Sequence, residues 1–180
     1  MSHIPLIVCR TLSILQDLYA WLQDHLLARL LNKAYDGDKH NFDDEERGVV
    51  HIINDSLYLH KTLQINYTTY DVRHDQDTVN PHTHANVMVL SHKDDMNSEE
   101  TSWHPYWYAK VLSIFHVDVQ HHGGICSNLK SQWMDLLWVC WYGCDTSVCS
   151  GWLAKCLPCL GFINGINVDT YGFLDPQEMI

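Results

Sequence analysis

Two long segments with a two-residue hydrophobic period constrain the fold of this 180-residue chain more than any other feature. They cover residues 106–119 and 133–142. Apolar residues at every second position predict strands with one buried face. We expect that face to carry Trp107, Ala109, Val111, Phe115, Val117 and Val119 in the first segment and Leu137, Val139 and Trp141 in the second. Two such strands predict an antiparallel pair at the centre of a small β-barrel.

A helix is expected before the strands. After Thr11, a suitable N-cap, leucines recur at steps of three or four residues over residues 11–34: Leu12, Leu15, Leu18, Leu22, Leu26 and Leu30. This stripe must be buried, either on the β domain, as we expect, or on a partner helix. The expected fold class is therefore α+β, mostly β. Residues 1–47 would form an N-terminal amphipathic helix and an acidic loop, and residues 48–180 a small antiparallel SH3-like barrel.

Shorter elements are expected around the two long strands. Residues 49–54 and 57–61 flank the turn-forming residues Asn54, Asp55 and Ser56, which predicts a β-hairpin. The other expected elements are a strand at 63–68, a polar loop at 73–86, a strand at 87–90, an acidic loop at 91–105 and short elements in the tail at 151–180.

The charge of the chain bears on its partners. Asp and Glu number 22 against 11 Lys and Arg, which gives a formal net charge of −11. No basic stripe is visible, so direct nucleic-acid binding is disfavoured. The longest uncharged apolar run, residues 136–143, is too short to cross a bilayer, and no signal-peptide pattern is visible. We expect no membrane association and an intracellular protein, nuclear or cytoplasmic, whose 7 cysteines are reduced thiols.

Five of the cysteines lie between positions 140 and 159. Zinc in structural sites takes four converging ligands, usually as two close pairs. Cys156 and Cys159, with two residues between them, form one such pair, while Cys140 and Cys144 are spaced more loosely. We expect a domain without a cofactor. A zinc-stabilised binding module that uses these four cysteines is the alternative.

Aromatic residues are the main candidates for binding. Five of them cluster in the two long strands: Trp107, Tyr108, Trp138, Trp141 and Tyr142. Small β-barrels often present aromatic side chains at one rim, where the rings hold a peptide or a methylated cation. Ordinary core packing is the other interpretation of the same residues. We expect this aromatic rim to bind a protein partner or a chromatin peptide.

No catalytic constellation is visible in the sequence. The chain has no Gly-x-Ser-x-Gly elbow and no phosphate-binding glycine loop. Its 13 histidines are spread along the chain and are expected mainly in solvated loops. We therefore expect a protein that is not an enzyme.

Several motifs resemble a known family. They are, in chain order, residues 24–31 (DHLLARLL), 66–73 (NYTTYDVR), 75–77 (DQD), 80–81 (NP), 105–109 (PYWYA), 134–135 (MD), 137–139 (LWV) and 172–176 (GFLDP). Together they resemble the C-terminal region of transposase-like proteins encoded by Plavaka-type (CACTA-related) elements of basidiomycete fungi. In that family the catalytic core lies upstream, so the resemblance implies a non-enzymatic accessory or interaction domain. The strand pair is also similar to the bromo-adjacent-homology barrel of chromatin-binding proteins, which implies a barrel of that type.

The chain departs from this family at one set of positions. Where the family pattern implies arginine, the chain has His74, His82, Trp133, Cys140, Cys144, Cys156 and Cys159. Deamination of methylated CG steps in a silenced transposon converts arginine codons into codons for Cys, Trp, His or Gln, and it converts CGA into a stop codon. The family also continues past the position of Ile180. We therefore expect a decayed copy of a transposon tail, truncated at its C-terminus and without retained activity.

Overall fold

The structure is a computed structural model that describes residues 2–5, 13–37, 40–90, 106–123, 128–145, 147, 159–163 and 170–180. In this part of the chain the helices are α1 (Ser13–Leu30) and α2 (Asp44–Arg47). The strands there are β1 (Ser2–Pro5), β2 (Val50–Ile52), β3 (Ser56–His60), β4 (Leu63–Thr68), β5 (His74–Val79), β6 (Asn86–Leu90), β7 (Tyr106–His121), β8 (Asn128–Cys144), β9 (Leu160–Phe162) and β10 (Tyr171–Leu174). The chain is α+β and mostly β, as expected.

The long strand β7 organises the main sheet, in which the described pairings are antiparallel. Along one edge it pairs with β8, from Ala109 opposite Trp141 to His121 opposite Asn128. Along the other edge it pairs in succession with β6, β3 and β2. β1 extends the sheet beyond β3, and β9 and β10 extend it beyond β8. The antiparallel central pair is confirmed. Among the described strands no pairing joins β1 to β10, so closure into a barrel stays a prediction.

A one-residue β-bulge at Leu112 divides β7 into two halves. Val111 lies opposite Val139 but Ser113 lies opposite Trp138, so β7 has one extra residue at this point. An extra residue inverts the alternation of side chains beyond it. The single buried face predicted for β7 is therefore wrong. Its members divide between two cores on opposite faces, with Trp107, Ala109 and Val111 in one and Phe115, Val117 and Val119 in the other.

Each face of the sheet carries its own hydrophobic core. On one face, which we call the helix side, α1 packs Leu22, Leu26 and Leu27 against the sheet. On the opposite face, the hairpin side, Leu63 and Val79 of the β4–β5 hairpin pack against the same central strands. The buried sheet residues include Phe115, Val117, Val119, Met134, Leu136 and Phe173 on the helix side and Ala109, Val111, Ile114, Leu137, Val139 and Leu174 on the hairpin side. Coverage of both faces explains why four successive residues, 114–117, are all buried.

Helix α1 confirms the predicted helix. The stripe leucines whose side chains the structure describes, Leu18, Leu22, Leu26 and Leu30, pack on the β domain as expected. It ends at Leu30 rather than at residue 34, because Asn32 adopts a left-handed conformation with φ of 51°. The Lys33 N–H then donates to the Ala28 carbonyl at 2.9 Å, which is the Schellman arrangement that stops many helices. The expected cap, Thr11, lies outside the described residues.

Strands β2 and β3 confirm the two segments predicted near residues 49–61, but not the hairpin between them. Both strands pair with β7, with Ile52 opposite Val119 and Tyr58 opposite His116. Between them Asn54 and Asp55 have φ of 59° and 45°, a conformation that shifts the chain sideways without reversing it. The predicted hairpin is therefore wrong, and β2 and β3 run in line along one edge of β7.

The polar loop predicted at 73–86 is also wrong in part, since it contains strand β5. β5 pairs with the confirmed strand β4 as a separate two-stranded sheet, from Leu63 opposite Val79 to Thr68 opposite His74. Its first four residues are polar and exposed, so the hydrophobic alternation that identifies other strands is missing. Strand β6 and the short elements of the tail are confirmed in the described residues, whereas the acidic loop predicted at 91–105 lies outside them.

Deletion of Leu112 should unfold the domain. Without the bulge, residues 113–121 would change faces, so Phe115 and Val117 would leave the helix side and polar side chains would enter it. We expect the deletion variant to lose cooperative thermal unfolding, measured by circular dichroism. Leu112→Thr keeps the number of residues. Its free energy of unfolding should therefore lie within about 1 kcal/mol of the value for the parent protein. Cooperative unfolding of the deletion variant at the parent temperature would contradict the two-sided packing.

Candidate functional site

The five aromatic residues expected to form one rim lie on both faces of the sheet. Trp107 and Trp141 lie on the hairpin side, where their rings pack edge to face with centroids 6.1 Å apart. Tyr108, Trp138 and Tyr142 occupy the alternate positions of β7 and β8 and therefore lie on the helix side. The structure thus places two of the five in a core and leaves three as surface candidates.

A row of aromatic side chains continues the helix side beyond its core. This aromatic stripe consists of Trp138, Tyr142, Phe162 and Tyr171. The rings of Trp138 and Tyr171 stack with centroids 5.8 Å apart, and the rings of Tyr142 and Phe162 lie 5.0 Å apart. Phe162 is 65% exposed and Tyr171 is 40% exposed. The stripe therefore consists of two aromatic pairs on one face of the sheet, and its outer rings, Phe162 and Tyr171, are open to solvent.

Strand β8 supplies two of the four residues of the stripe and pairs with the strands that carry the other two. Trp138 and Tyr142 are four residues apart in this strand and point to the same face. Phe162 of β9 and Tyr171 of β10 lie along its outer edge, opposite Tyr142 and Cys140. Sequence reasoning identified the first two residues and missed the last two, because each is an isolated aromatic residue in a very short strand. Their pairing with β8 was the missing information.

Polar groups at the stripe include a lysine amine, a tyrosine hydroxyl and an asparagine amide. The Lys110 Nζ lies 6.0 Å from the centre of the Phe162 ring, at the distance of a cation–π contact. The Tyr142 hydroxyl donates to Asn86 Oδ1 at 3.0 Å, and burial raises the pKa of Tyr142. Burial also raises the pKa of Cys140, although Lys110 acts in the opposite direction. Since the thiol is buried and protonated at neutral pH, the site offers aromatic and cation–π contacts rather than a nucleophile.

The cysteines of the alternative zinc site do not converge where they are described. Cys140 and Cys144 lie four residues apart in one strand, about 13 Å from each other. Sulfurs bound to one zinc ion lie within about 4 Å of each other. The Asp145 N–H donates to the Cys159 carbonyl at 2.8 Å, which places Cys159 on the opposite face from Cys144. Cys156 lies outside the described residues. Within them, no three His, Cys, Asp or Glu side chains are grouped to hold a metal ion.

A pair of histidines that sequence reasoning missed, one of them buried, lies farther along β7 at its contact with β3. His116 of β7 is 3% exposed, and its Nδ1 lies 2.6 Å from the Nε2 of His60. The ring of Trp133, from β8, stacks on His116 with centroids 3.4 Å apart, and the ring of Tyr58, from β3, stacks at 4.8 Å. The expectation of a solvated loop is wrong for His116, because apolar alternation does not mark a histidine inside a covered strand.

The histidine pair makes the contact between three strands sensitive to pH. One of the two facing nitrogens must donate and the other accept, so the gap holds a single proton. Burial lowers the pKa of His116 and the neighbouring His60 lowers it further, whereas Asp118 and Asp135 act in the opposite direction. The neutral form of His116 is therefore favoured in the folded protein.

A cavity of about 40 Å³, lined by charged and apolar side chains, lies between α1, the segment that follows it and the C-terminal residues. Several of its charged groups are engaged in ion pairs. Asp24 contacts the Arg47 Nε at 2.7 Å, and Arg29 contacts Asp175 at 2.6 Å and donates to the Asp135 carbonyl at 2.7 Å. A space of this size holds a few water molecules rather than an organic substrate. We assign the cavity a structural role in attaching α1.

Comparison with known proteins matches this chain to no family model, no curated protein and no solved structure. None of the helices in the described ranges combines the length and the apolar character needed to cross a membrane. The aromatic stripe is therefore the main indication of function.

Removal of divalent metal should leave the fold unchanged. Because Cys140, Cys144 and Cys159 do not converge, we expect the purified protein to hold no stoichiometric zinc by elemental analysis. Its thermal midpoint should be the same before and after dialysis against a chelator. One zinc per chain, with loss of the fold on chelation, would restore the alternative zinc-stabilised module.

Acidification should destabilise the protein through His116. Folding lowers the pKa of His116, so below about pH 6.5 the unfolded chain binds more protons than the folded one. The free energy of unfolding should therefore fall as the pH falls from about 7.5 to about 5.5. In urea denaturation at the two pH values, His116→Gln should reduce this difference, and the matched variant of an exposed residue, His122→Gln, should keep it. Equal pH dependence in His116→Gln and the parent protein would contradict the assignment.

Proposed function

We propose that this chain is a non-enzymatic interaction domain that binds a protein partner through the aromatic stripe. The observation that carries the proposal is the exposure of Phe162 and Tyr171 beside two further rings on the central strand β8. Exposed aromatic side chains grouped on one face of a sheet are typical of a contact surface. Aromatic rings also bury a large area at a small cost in side-chain entropy, which suits them to binding.

The partner class that this surface favours is a peptide with cationic side chains, and a chromatin peptide with methylated lysine is the first to test. The amine of Lys110 lies at cation–π distance from Phe162, and a cationic side chain of the partner would take its place on that ring. The net charge of −11 also favours a basic partner and disfavours nucleic acid.

We propose that the fold is an SH3-like barrel related to the bromo-adjacent-homology type. Strands β7 and β8 have 16 and 17 residues and include register shifts near Leu112 and Gln120. Long strands bent by bulges allow a small sheet to curve toward closure. These features support the barrel and are compatible with an antiparallel path that ends at β1 and β10.

The family motifs of the sequence support an origin in the accessory tail of a Plavaka-type transposase-like protein, and a nuclear location follows from that origin. We propose that the tail is a decayed copy, because substitutions of the kind that CG deamination produces occur at positions such as His74, His82 and Cys140.

Substitution of the stripe should abolish peptide binding. We expect the full chain to bind trimethyllysine peptides on an array more tightly than the unmodified peptides. Phe162→Ala and Tyr142→Ala should each weaken binding about tenfold, measured by titration with a fluorescent peptide, because each removes one wall of the stripe.

The matched control is Tyr70→Ala, which removes an exposed aromatic ring from the β4–β5 hairpin. It should bind the same peptides as the parent protein does. Trp107 and Trp141 are unsuitable for this test because they pack in a core, and their truncation would disturb folding. Peptide binding that is unchanged in both stripe variants, or no binding at all, would refute the proposal.

A further inference from the structure

The tip of the β4–β5 hairpin presents two apolar side chains to solvent. Tyr70 is fully exposed and Val72 is 80% exposed. The turn that carries them is held by hydrogen bonds: the Thr69 N–H donates to the Arg73 carbonyl at 2.8 Å, and the Val72 N–H donates to the Thr69 carbonyl at 2.9 Å. The Arg73 N–H also donates to Thr69 Oγ1 at 3.2 Å. The two side chains, which we call the hairpin knob, are therefore displayed on an ordered turn.

Valine is an unfavourable residue for the fold at position 72. Its φ of 62° lies in the left-handed region, which glycine and asparagine adopt readily and β-branched residues avoid. Its side chain gains little burial in return, since it is mostly exposed. A strained and exposed apolar residue is accounted for by a contact outside the chain better than by stability of the free protein.

The edge of β5 is protected against the addition of another strand. Asp75 Oδ1 accepts a hydrogen bond from the Gln76 N–H at 2.8 Å, and Asp77 Oδ1 accepts one from the Thr78 N–H at 2.7 Å. Amides two residues apart point to the same edge of a strand, so the two carboxylates occupy donors that an added strand would need. The hairpin is therefore suited to contact through its tip.

We propose that the hairpin knob inserts into an apolar pocket of a protein partner whose rim carries Lys and Arg. Charge argues for that rim. Between positions 63 and 79 the chain has three Asp residues against one Arg, and that Arg73 pairs with Asp71 at 2.9 Å. An acidic hairpin on a chain of net charge −11 disfavours a second copy, nucleic acid or an anionic membrane as the occupant. The proposal does not depend on the aromatic stripe, which belongs to other strands.

The small contact area of the hairpin knob is suited to a weak and reversible complex. Two side chains bury much less surface than a standard protein interface. The ordered turn compensates in part, because a contact that is already in its bound conformation loses less entropy on binding.

The first test separates a structural role of Val72 from a binding role. Asparagine tolerates the left-handed conformation, so Val72→Asn should leave the thermal midpoint of the full chain unchanged or raise it by about 2–4 °C. A midpoint lowered by more than about 2 °C would show that the valine side chain supports the fold, and it would overturn the argument from strain.

The second test identifies the occupant. A photoreactive benzoylphenylalanine replaces Tyr70 in the full chain, and, as a control, the exposed Gln64 of the same hairpin. After irradiation in an extract of the cells that express the protein, we expect a protein adduct at position 70 that position 64 does not give. The captured protein, once purified, should bind Tyr70→Ala and Val72→Asn about tenfold more weakly than the parent chain. It should bind Phe162→Ala as tightly as the parent chain, and added salt should weaken all of these complexes.

Three results of the second test would overturn the proposal. One is no adduct at position 70 beyond that at position 64. Another is an adduct with a second copy of this chain or with nucleic acid. The third is equal affinity of the purified partner for Tyr70→Ala and the parent chain.

Discussion

The antiparallel ladder between β7 and β8 is the interaction on which the rest of the described sheet depends. In the described pairings, β2, β3 and β6 join the sheet through β7, and β9 and β10 join it through β8. The bulge at Leu112 determines which residues of this ladder lie on each face of the sheet. Because it moves apolar residues to both faces, one cover cannot bury them all, and both α1 and the β4–β5 hairpin are required. With a net stability of only about 5–15 kcal/mol expected for a domain, loss of either cover would expose a core too large to tolerate.

The attachment of α1 determines where the helix-side core ends and the aromatic stripe begins. Arg47 contacts both carboxylate oxygens of the buried Asp24, at 2.7 and 2.8 Å, which orients the helix at one point. Arg29 is held by Asp175, although burial lowers the pKa of its guanidinium. Ion pairs with such geometry contribute more to a defined orientation than to net stability. Trp138 joins the two regions, since its ring contacts Phe173 of the core at 4.8 Å and stacks on Tyr171 of the stripe. The stripe is thus a continuation of a packed core, and its rings are held by that core.

Elements with a clear hydrophobic period could be predicted from the sequence, and features that depend on pairing could not. The leucine steps of α1 and the alternation in β4, β7 and β8 identified those elements correctly. The bulge was invisible because Ser113 lies in phase with Val111 and Phe115, so the pattern continues through it unchanged. Strand β5 has no apolar alternation at its start, and its conformation depends on pairing with β4. Half of the stripe was found from the sequence. The other half needed the register that places Phe162 and Tyr171 along β8.

The position of Cys140 connects the proposed history of the chain with its proposed binding surface. Its thiol lies in the row of alternate positions that includes Trp138 and Tyr142, and its backbone lies opposite Tyr171. If the ancestral residue was arginine, as the family resemblance implies, a guanidinium among these rings would have satisfied their cation–π capacity from within the chain. With cysteine at this position, the cation recorded beside the stripe in the described part of the chain is Lys110, whose amine lies 6.0 Å from the centre of the Phe162 ring. On this argument the loss of one positive charge opens the stripe to an external cation, so decay of the sequence and a surface able to bind are compatible.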